Sequence, residues 1–557
     1  MKAVIEIIQD IVQHLFGIEI AVELTRPKPE FGDYATNLAL QLAGRLNQNP
    51  RQIAESIAAE LKKEQQFAEV NIAGPGFINI RLSDGALWQL AQSAPRAIHQ
   101  QRCFVLEYSC PNAFKELHTG HLYQTIYGDM LARVLEATGA RVNRTSFGGD
   151  VGLHVAKCLW GMRVKLGGEL PDKLTQLSTD VFERAHWISE AYVLGAQAYE
   201  DDALAKDQII ELNKTIYAFH NNNDHQSPLA QIYWETRQWS FDYFAAFYRL
   251  IEVENQHYYP ESSTAPVGLK VVKEQLEKGN LVESDGAVVF IGDPNKHLHT
   301  RVFVTSNGLP TYETKDIGVI WLEAADYNFD HRILITGNDQ TEYMRVVYAA
   351  ADVFHPGIGV KMTHLTNGTV RFSDGQKMSS RLGNVSRAAD VIAAVKQRVA
   401  TITNDPQLQS KVALGAIKYA FAKYRLGGDI AFDIEETVSL QGNSGPYLQY
   451  AHARACSILA KATAQSSDQL VCEADERRLL QKMTEFPEVV ERAGREYMIH
   501  GICHYLYELA QEFNHFYEHN RVIGDQREAI RLKLVKKYRD ILANGLNLLG
   551  IEAPEKM

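Results

Sequence analysis

Residues 102–147 limit the fold more than any other part of this 557-residue chain. They run RCFVLEYS, then the polar loop CPNAFKELHTGH, then helical periodicity to about Ala137, then ARVNRTSF. The helical stretch has its apolar stripe at Leu122, Ile126, Leu131, Val134 and Leu135, and Gly139 supplies the residue that ends it. Strand, loop, helix and second strand make one βαβ unit. Parallel strands need a crossover, and the crossover helix must bury its stripe on the sheet, so the unit implies a parallel sheet with helices on its faces. Strand-like sequence returns with AVVFI, RVFVTS and HRILITG; the last stops at Gly337, as strands ending in the crevice of a doubly wound sheet do.

The flanks read differently. Residues 1–95 mix helical periodicity at the start, helical segments at Leu38–Leu46 and 53–61, and short strands at 68–73 and 76–81 around Gly74-Pro75-Gly76. Residues 170–260 are polar or aromatic and helix-like, an insertion between the halves of the sheet. From about Lys411 nearly everything is helical. The expected architecture is therefore α/β: a doubly wound parallel-sheet domain over 96–405 with a helical insertion, a small α+β domain over 1–95, and an all-α bundle over 406–557.

No apolar run approaches the roughly 18 residues a membrane span needs, and the first twenty residues lack a small-residue cleavage site, so a cytoplasmic protein is expected. Six cysteines stand singly, with no CxxC pair, and neither a disulfide framework nor a structural zinc site is expected. The helical pairs His500/His504 and His515/His519 lack an evident third ligand. A net charge of −11 argues against non-specific coating of nucleic acid but leaves room for a local patch. Residues 521–539, with seven Lys/Arg against two acids, are either such a patch or a solvated helix face.

Two short motifs carry chemistry. His118-Thr119-Gly120-His121 sits where the first loop becomes a helix, and a helix start offers free N–H groups and partial positive charge to phosphates. The histidines are three apart and share a face, while Gly120 leaves room for close approach. The second motif, Asp374-Gly375-Gln376-Lys377-Met378-Ser379-Ser380-Arg381, puts a compact positive charge and two hydroxyls on a polar loop. Taken singly, the first also fits histidines with local roles and the second a solvated turn.

Taken together they resemble the paired signatures of class I aminoacyl-tRNA synthetases. EYSCPNAFKELHTGHL, GLPTYETKDIG, GTVRFSDGQKMSSRLGNV, GNSGPYLQYAHAR, FPEVV and GLNLLGIEAPEKM are similar to arginyl-tRNA synthetases, as are GDYATNLAL and AGPGFINI in the first domain. The resemblance implies that His118 and His121 steady the ATP phosphates and that Lys377 holds the leaving pyrophosphate. Lys115, Gly120, Gly337, Asp339, Met378, Ser379 and Ser380 fall on the nucleotide side. Glu107 and Asn112 would receive the amino and carboxylate groups of arginine, and Tyr312 and Asp316 its side chain. Phe77 and Asn79 would meet a base of the tRNA D-loop. A guanidinium needs a carboxylate partner, which Asp316, one helical turn from Tyr312, can supply. This sequence departs from the family at Tyr123 and Lys315, where Arg is usual, and in a KMSSR loop.

The implied reaction joins L-arginine to tRNA(Arg) through an arginyl-adenylate, with ATP and its Mg2+ as the substrate complex. A monomer with no membrane partner is expected, and activation is expected to need bound tRNA. A synthetase for another amino acid would have a neutral pocket at Tyr312 and Asp316. A nucleotidylyltransferase would have no use for the two end domains, nor a non-catalytic RNA binder for His118, His121 and Lys377.

Overall fold

The computed structural model describes residues 2–254, 257–372, 387–462 and 471–557. In the first domain the helices Lys2–Phe16, Leu38–Leu46 and Pro50–Leu61 pack on three antiparallel strands, β1 (Tyr34–Thr36), β2 (Phe67–Ala73) and β3 (Phe77–Leu82), in the order β1-β3-β2. Ile8, Val12, Leu42, Ile57, Ile78 and Ile80 form its core. The β2–β3 turn needs glycine at Gly76: φ is 149°, and a Cβ there would meet the Pro50 carbonyl oxygen at 3.0 Å.

The central sheet is parallel throughout. Its strands are β4 (Cys103–Glu107), β5 (Arg141–Gly148) and β6 (His257–Pro260), then, beyond three intervening strands, β10 (His331–Gly337) and β11 (Met362–Asn367). The order is β11-β10-β4-β5-β6. Strand order reverses between β4 and β10, so the crevice lies beyond Glu107 and Gly337.

Two expectations need correction here. AVVFI and RVFVTS are strands, but β7 (Val282–Ser284), β8 (Ala287–Phe290) and β9 (Arg301–Val304) form a separate antiparallel sheet. Short apolar runs mark a strand without naming its partner. The third central strand is instead β6 (His257–Pro260), which closes the region expected to be helix-like.

Within that region the helices Val181–Asp201, Ala203–Asn221 and Pro228–Leu250 enclose a core of their own with the helix Leu153–Leu166, through Leu159, Met162, Ile188, Ile216 and Trp239. The last part of the chain is helical: Pro406–Ala422, Gly445–Ala460, Ala474–Met483, Phe486–Glu496, His500–His519 and Glu528–Leu548. The exception is β13 (Ile430–Phe432), parallel to β12 (Val370–Phe372).

Tyr123, one of the departures, is fully buried in the helix Thr119–Ala137, its ring centroid 5.4 Å from that of Phe421 in the bundle. It therefore packs one domain on another. Three of the seven cations in the 521–539 run are spent internally: Arg527 and Arg531 pair with Glu473 and Glu476, Arg539 with Asp540. The first domain docks directly on the bundle. Arg26 donates to Glu488 at 2.8 and 3.0 Å and to Thr484 Oγ1 at 3.0 Å; Arg96 pairs with Glu491, and Arg477 with Asp33 and Asp84.

Candidate active site

The signature loop leaves β4 under backbone strain. Ser109, Cys110 and Phe114 have φ of 71°, 47° and 68°, left-handed values that cost non-glycine residues about 1–3 kcal/mol each and persist where surroundings impose them. Asn112 is fixed by accepting from Gly149 N at 2.8 Å.

At the helix start His118 is the N-cap. Its Nδ1 accepts from Gly120 N at 3.0 Å and His121 N at 3.4 Å, while His121 Nδ1 accepts from His118 N at 3.2 Å. Each Nδ1 is thus an acceptor, which leaves Nε2 carrying the proton on two neutral rings whose centroids are 3.8 Å apart. Burial, then the Lys115 ammonium, holds the His118 pKa below its usual value, while Asp339 pulls the other way. His121 is held lower still by burial, His118 and Lys115. The capping geometry and the titration agree: these are neutral N–H donors. Gly120 is required for a nearer reason than ligand approach, since a Cβ would meet the His118 ring at 2.9 Å. Gly337 ends β10, and exposed Asp339 follows in the turn Asn338–Gln340. Lys115 lays its ammonium over the Tyr192 ring, 4.1 Å from the centroid.

Across the crevice the groups are buried and charged. Arg332, on β10, binds Glu107 through Nη2, Glu323 through Nε at 2.6 Å and Tyr348 OH through Nη1 at 3.1 Å. Lys315 pairs with Glu261 at 2.5 Å, both buried. Tyr312 and Asp316 stand one turn apart on the helix Tyr312–Tyr327, with Tyr312 61% exposed at the mouth and Asp316 buried beneath it.

Asp316 accepts a hydrogen bond from Tyr343 OH. Its pKa is lifted to about 7 by burial, against the pull of that bond and of Arg332. Burial raises Glu107 as well; Arg332 opposes this, and the Glu323 and Asp316 charges add to it. Glu107, Glu261, Glu313, Asp316 and Glu323 are all buried here, against Lys315 and Arg332 as buried cations. Partly exposed Arg301 adds a third cation, 3.8 Å from Glu313, and the carboxylates still outnumber the cations.

Sequence reading passed over several of these groups. Arg332 was detectable as an arginine inside the apolar strand HRILITG, since a charge there must be paired. Gly148-Gly149 at the end of β5 let the backbone meet Pro111 and Asn112. Beside them His154 is pushed down to about 3 by burial and the Lys115 charge. Asp150 accepts from Arg237 Nε at 2.8 Å and Ser262 Oγ at 2.6 Å. A glycine pair directly after a strand was their signal. Lys377, Met378, Ser379, Ser380 and Arg381 lie outside the described residues, as does the rest of 373–386. The segment is followed by Arg387, which forms a bridge with His118. Phe77 and Asn79 lie apart from the crevice, in the first domain: Ile78, Ile80 and Leu82 turn inward, so Phe77 and Asn79 face outward. Among the described residues no group of three His, Cys, Asp or Glu could hold a metal ion, and no helix is long and apolar enough to cross a membrane.

A family model for the class I tRNA synthetase (R) catalytic domain matches residues 84–433, between models for the arginyl tRNA synthetase N-terminal domain at 2–82 and the DALR anticodon binding domain at 448–557. The chain belongs to the class I arginyl-tRNA synthetases. It is 30% identical to an arginine–tRNA ligase of Cellvibrio japonicus, covering 95% of this chain and 94% of that one. To an arginine–tRNA ligase of Bacteroides thetaiotaomicron it is 27% identical, covering 98% and 97%. The arginyl-tRNA synthetase structure from Thermus thermophilus superposes with a TM-score of 0.81 at 25% identity over the full length of both chains. As an arginyl-tRNA synthetase the enzyme attaches arginine to tRNA in an ATP-dependent reaction through an arginyl-adenylate.

Proposed function

We propose that arginine binds with its guanidinium at Asp316 beneath Tyr312 and its amino and carboxylate groups near Glu107 and Asn112, and that ATP lies along Lys115, His118, Gly120, His121, Gly337 and Asp339. The observation that carries this is the buried carboxylate excess at one end of the crevice, facing neutral Nε2–H donors at a helix start on the other. The carboxylate of arginine is already a nucleophile, so its attack on the α-phosphate needs alignment more than a base. His118 and His121 donate hydrogen bonds to oxygens that gain charge during that attack. Lys377 meets the departing pyrophosphate, with Met378, Ser379 and Ser380 shaping its loop. Mg2+ travels with ATP, held by phosphates and water.

In this reading the chain acts as a cytoplasmic monomer. Residues 1–95 contact tRNA(Arg) through Phe77 and Asn79, 96–405 perform the chemistry, and 406–557 meet the anticodon. Aromatic and amide side chains on one exposed sheet face suit an unstacked base. The test is AMP formation with a total tRNA pool and each amino acid omitted in turn; only the omission of arginine abolishes it.

Activation waits for tRNA. Exchange of pyrophosphate into ATP is negligible without tRNA and is restored, at least in part, by tRNA lacking its terminal 2′-hydroxyl. Rapid exchange without tRNA overturns this requirement and leaves the family untouched.

A further inference from the structure

The loop that delivers Lys115 and His118 does not hold itself. Three of its backbone amides are satisfied by hydroxyls from the helical insertion: Phe114 N donates to Ser240 Oγ at 3.1 Å, Glu116 N to Ser189 Oγ at 2.8 Å and Leu117 N to Tyr243 OH at 3.2 Å. Ser240 and Tyr243 lie on the helix Pro228–Leu250 and Ser189 on Val181–Asp201, so two helices grip one short loop. Phe114 is left-handed, and its conformation is imposed at the residue whose amide Ser240 receives. The same insertion supplies the Tyr192 ring beneath the Lys115 ammonium. It also supplies His186, whose Nδ1 lies 3.2 Å from Glu116 Oε2 and 3.0 Å from Arg387 Nη1, beside the bridge to His118.

We infer that the helical insertion carries the positioning residues of the ATP site: Ser189, Ser240 and Tyr243 set the signature loop, and Tyr192 sets the direction of Lys115. This rests on the reading that Lys115 and His118 meet ATP. A flexible lysine stem has many rotamers, and an aromatic face beneath the ammonium selects those aimed along the ring. A misplaced loop costs rate even when each of its side chains is intact.

The experiment measures single-turnover activation with tRNA present, varying ATP and arginine separately. Tyr192→Phe keeps the π face and matches the parent. Tyr192→Leu raises ATP KM by about 3–10-fold with arginine KM unmoved, and adds nothing when Lys115 is already alanine. Tyr243→Phe keeps the buried ring and loses the acceptor for Leu117; it lowers the activation rate by about tenfold and leaves arginine KM unchanged. Ser189→Ala, at a half-buried site that tolerates the change, does the same to a lesser degree. The inference is overturned if Lys115→Ala impairs ATP use while Tyr192→Leu, Tyr243→Phe and Ser189→Ala all behave as the parent. It is equally overturned if Tyr243→Phe and Ser189→Ala shift both KM values and the melting temperature together, the mark of a general structural role. If Lys115→Ala and His118→Ala both leave ATP use intact, the placement of ATP fails first, and this inference with it.

Discussion

At the Asp316 end of the crevice the side chains are charged, buried and already bonded to one another, whereas at the His118 end they are neutral and the backbone fixes them. In the placement proposed above, the ligand explains the difference. Arginine brings fixed cations, and a site that selects them must hold carboxylates out of water before the ligand arrives. The phosphates of ATP bring charge that moves during the reaction. Neutral N–H donors and lysines follow it without the desolvation cost of permanent buried cations. Selection is built from preformed charge, and rate from placed donors.

The largest effect that would break this contrast is at Asp316. Asp316→Asn keeps the shape and leaves the guanidinium unpaired, which costs about 2–5 kcal/mol in arginine affinity; arginine KM climbs steeply while ATP KM stays near the parent. Equal arginine affinity in parent and variant removes Asp316 from the pocket. At the other end Lys377→Ala slows adenylate formation by roughly 10²–10³-fold, with tRNA affinity nearly unchanged. A loss below about threefold counts against that role, and Lys115 and Arg381 would be examined next as substitutes.

A third effect follows from titration. Asp316 binds a cation only when ionised, and in the free pocket its pKa is about 7. Arginine affinity therefore falls as pH drops through this value, by up to about tenfold per unit, and Glu107, which burial also raises, adds to the same trend. At the His118 end burial lowers both histidine pKa values, so any change of state there lies further to the acid side. Arginine KM measured between pH 6 and 8 rises toward the acid side in the parent and is much flatter in Asp316→Asn. The smallest effect lies behind the signature helix, where the Tyr123 hydroxyl is buried with no hydrogen-bond partner among the described residues. Tyr123→Phe removes an unsatisfied group and raises the melting temperature by about 1–3 °C, with both KM values unaltered.

The first signature and the helix that follows it could be read directly; the second lies outside the described residues. His118 stands at a helix start and Tyr312 and Asp316 one turn apart because both are local patterns, spanning four or five residues. What escaped reading was non-local. Ser189, Ser240 and Tyr243 are ordinary helix residues until Phe114, Glu116 and Leu117 are brought to them, and no periodicity announces a hydroxyl that will receive a distant amide. Strand β6 was hidden because HYYP is aromatic and polar and follows three long helices. The strands β8 and β9 were visible, but the sheet they join depends on pairing, which alternation does not encode. Arg527 and Arg531 were counted as free charge because Glu473 and Glu476, which neutralise them, lie some fifty residues earlier.

The dock between the first domain and the bundle has a consequence for the order in which the molecule is made. Arg26 leaves the ribosome 462 residues before Glu488, its partner. At about 5–20 residues per second that is a wait of roughly half a minute to a minute and a half. The first domain has its own sheet, but its apolar residues join one cluster with the catalytic domain and the bundle, and the face around Arg26, Asp33 and Asp84 stays without its partners until the helices Ala474–Met483 and Phe486–Glu496 emerge. That face is polar and charged, and an undocked polar face is tolerated in water where an apolar one would invite aggregation. That surface is thus suited to a long wait before the helices Ala474–Met483 and Phe486–Glu496 close on it.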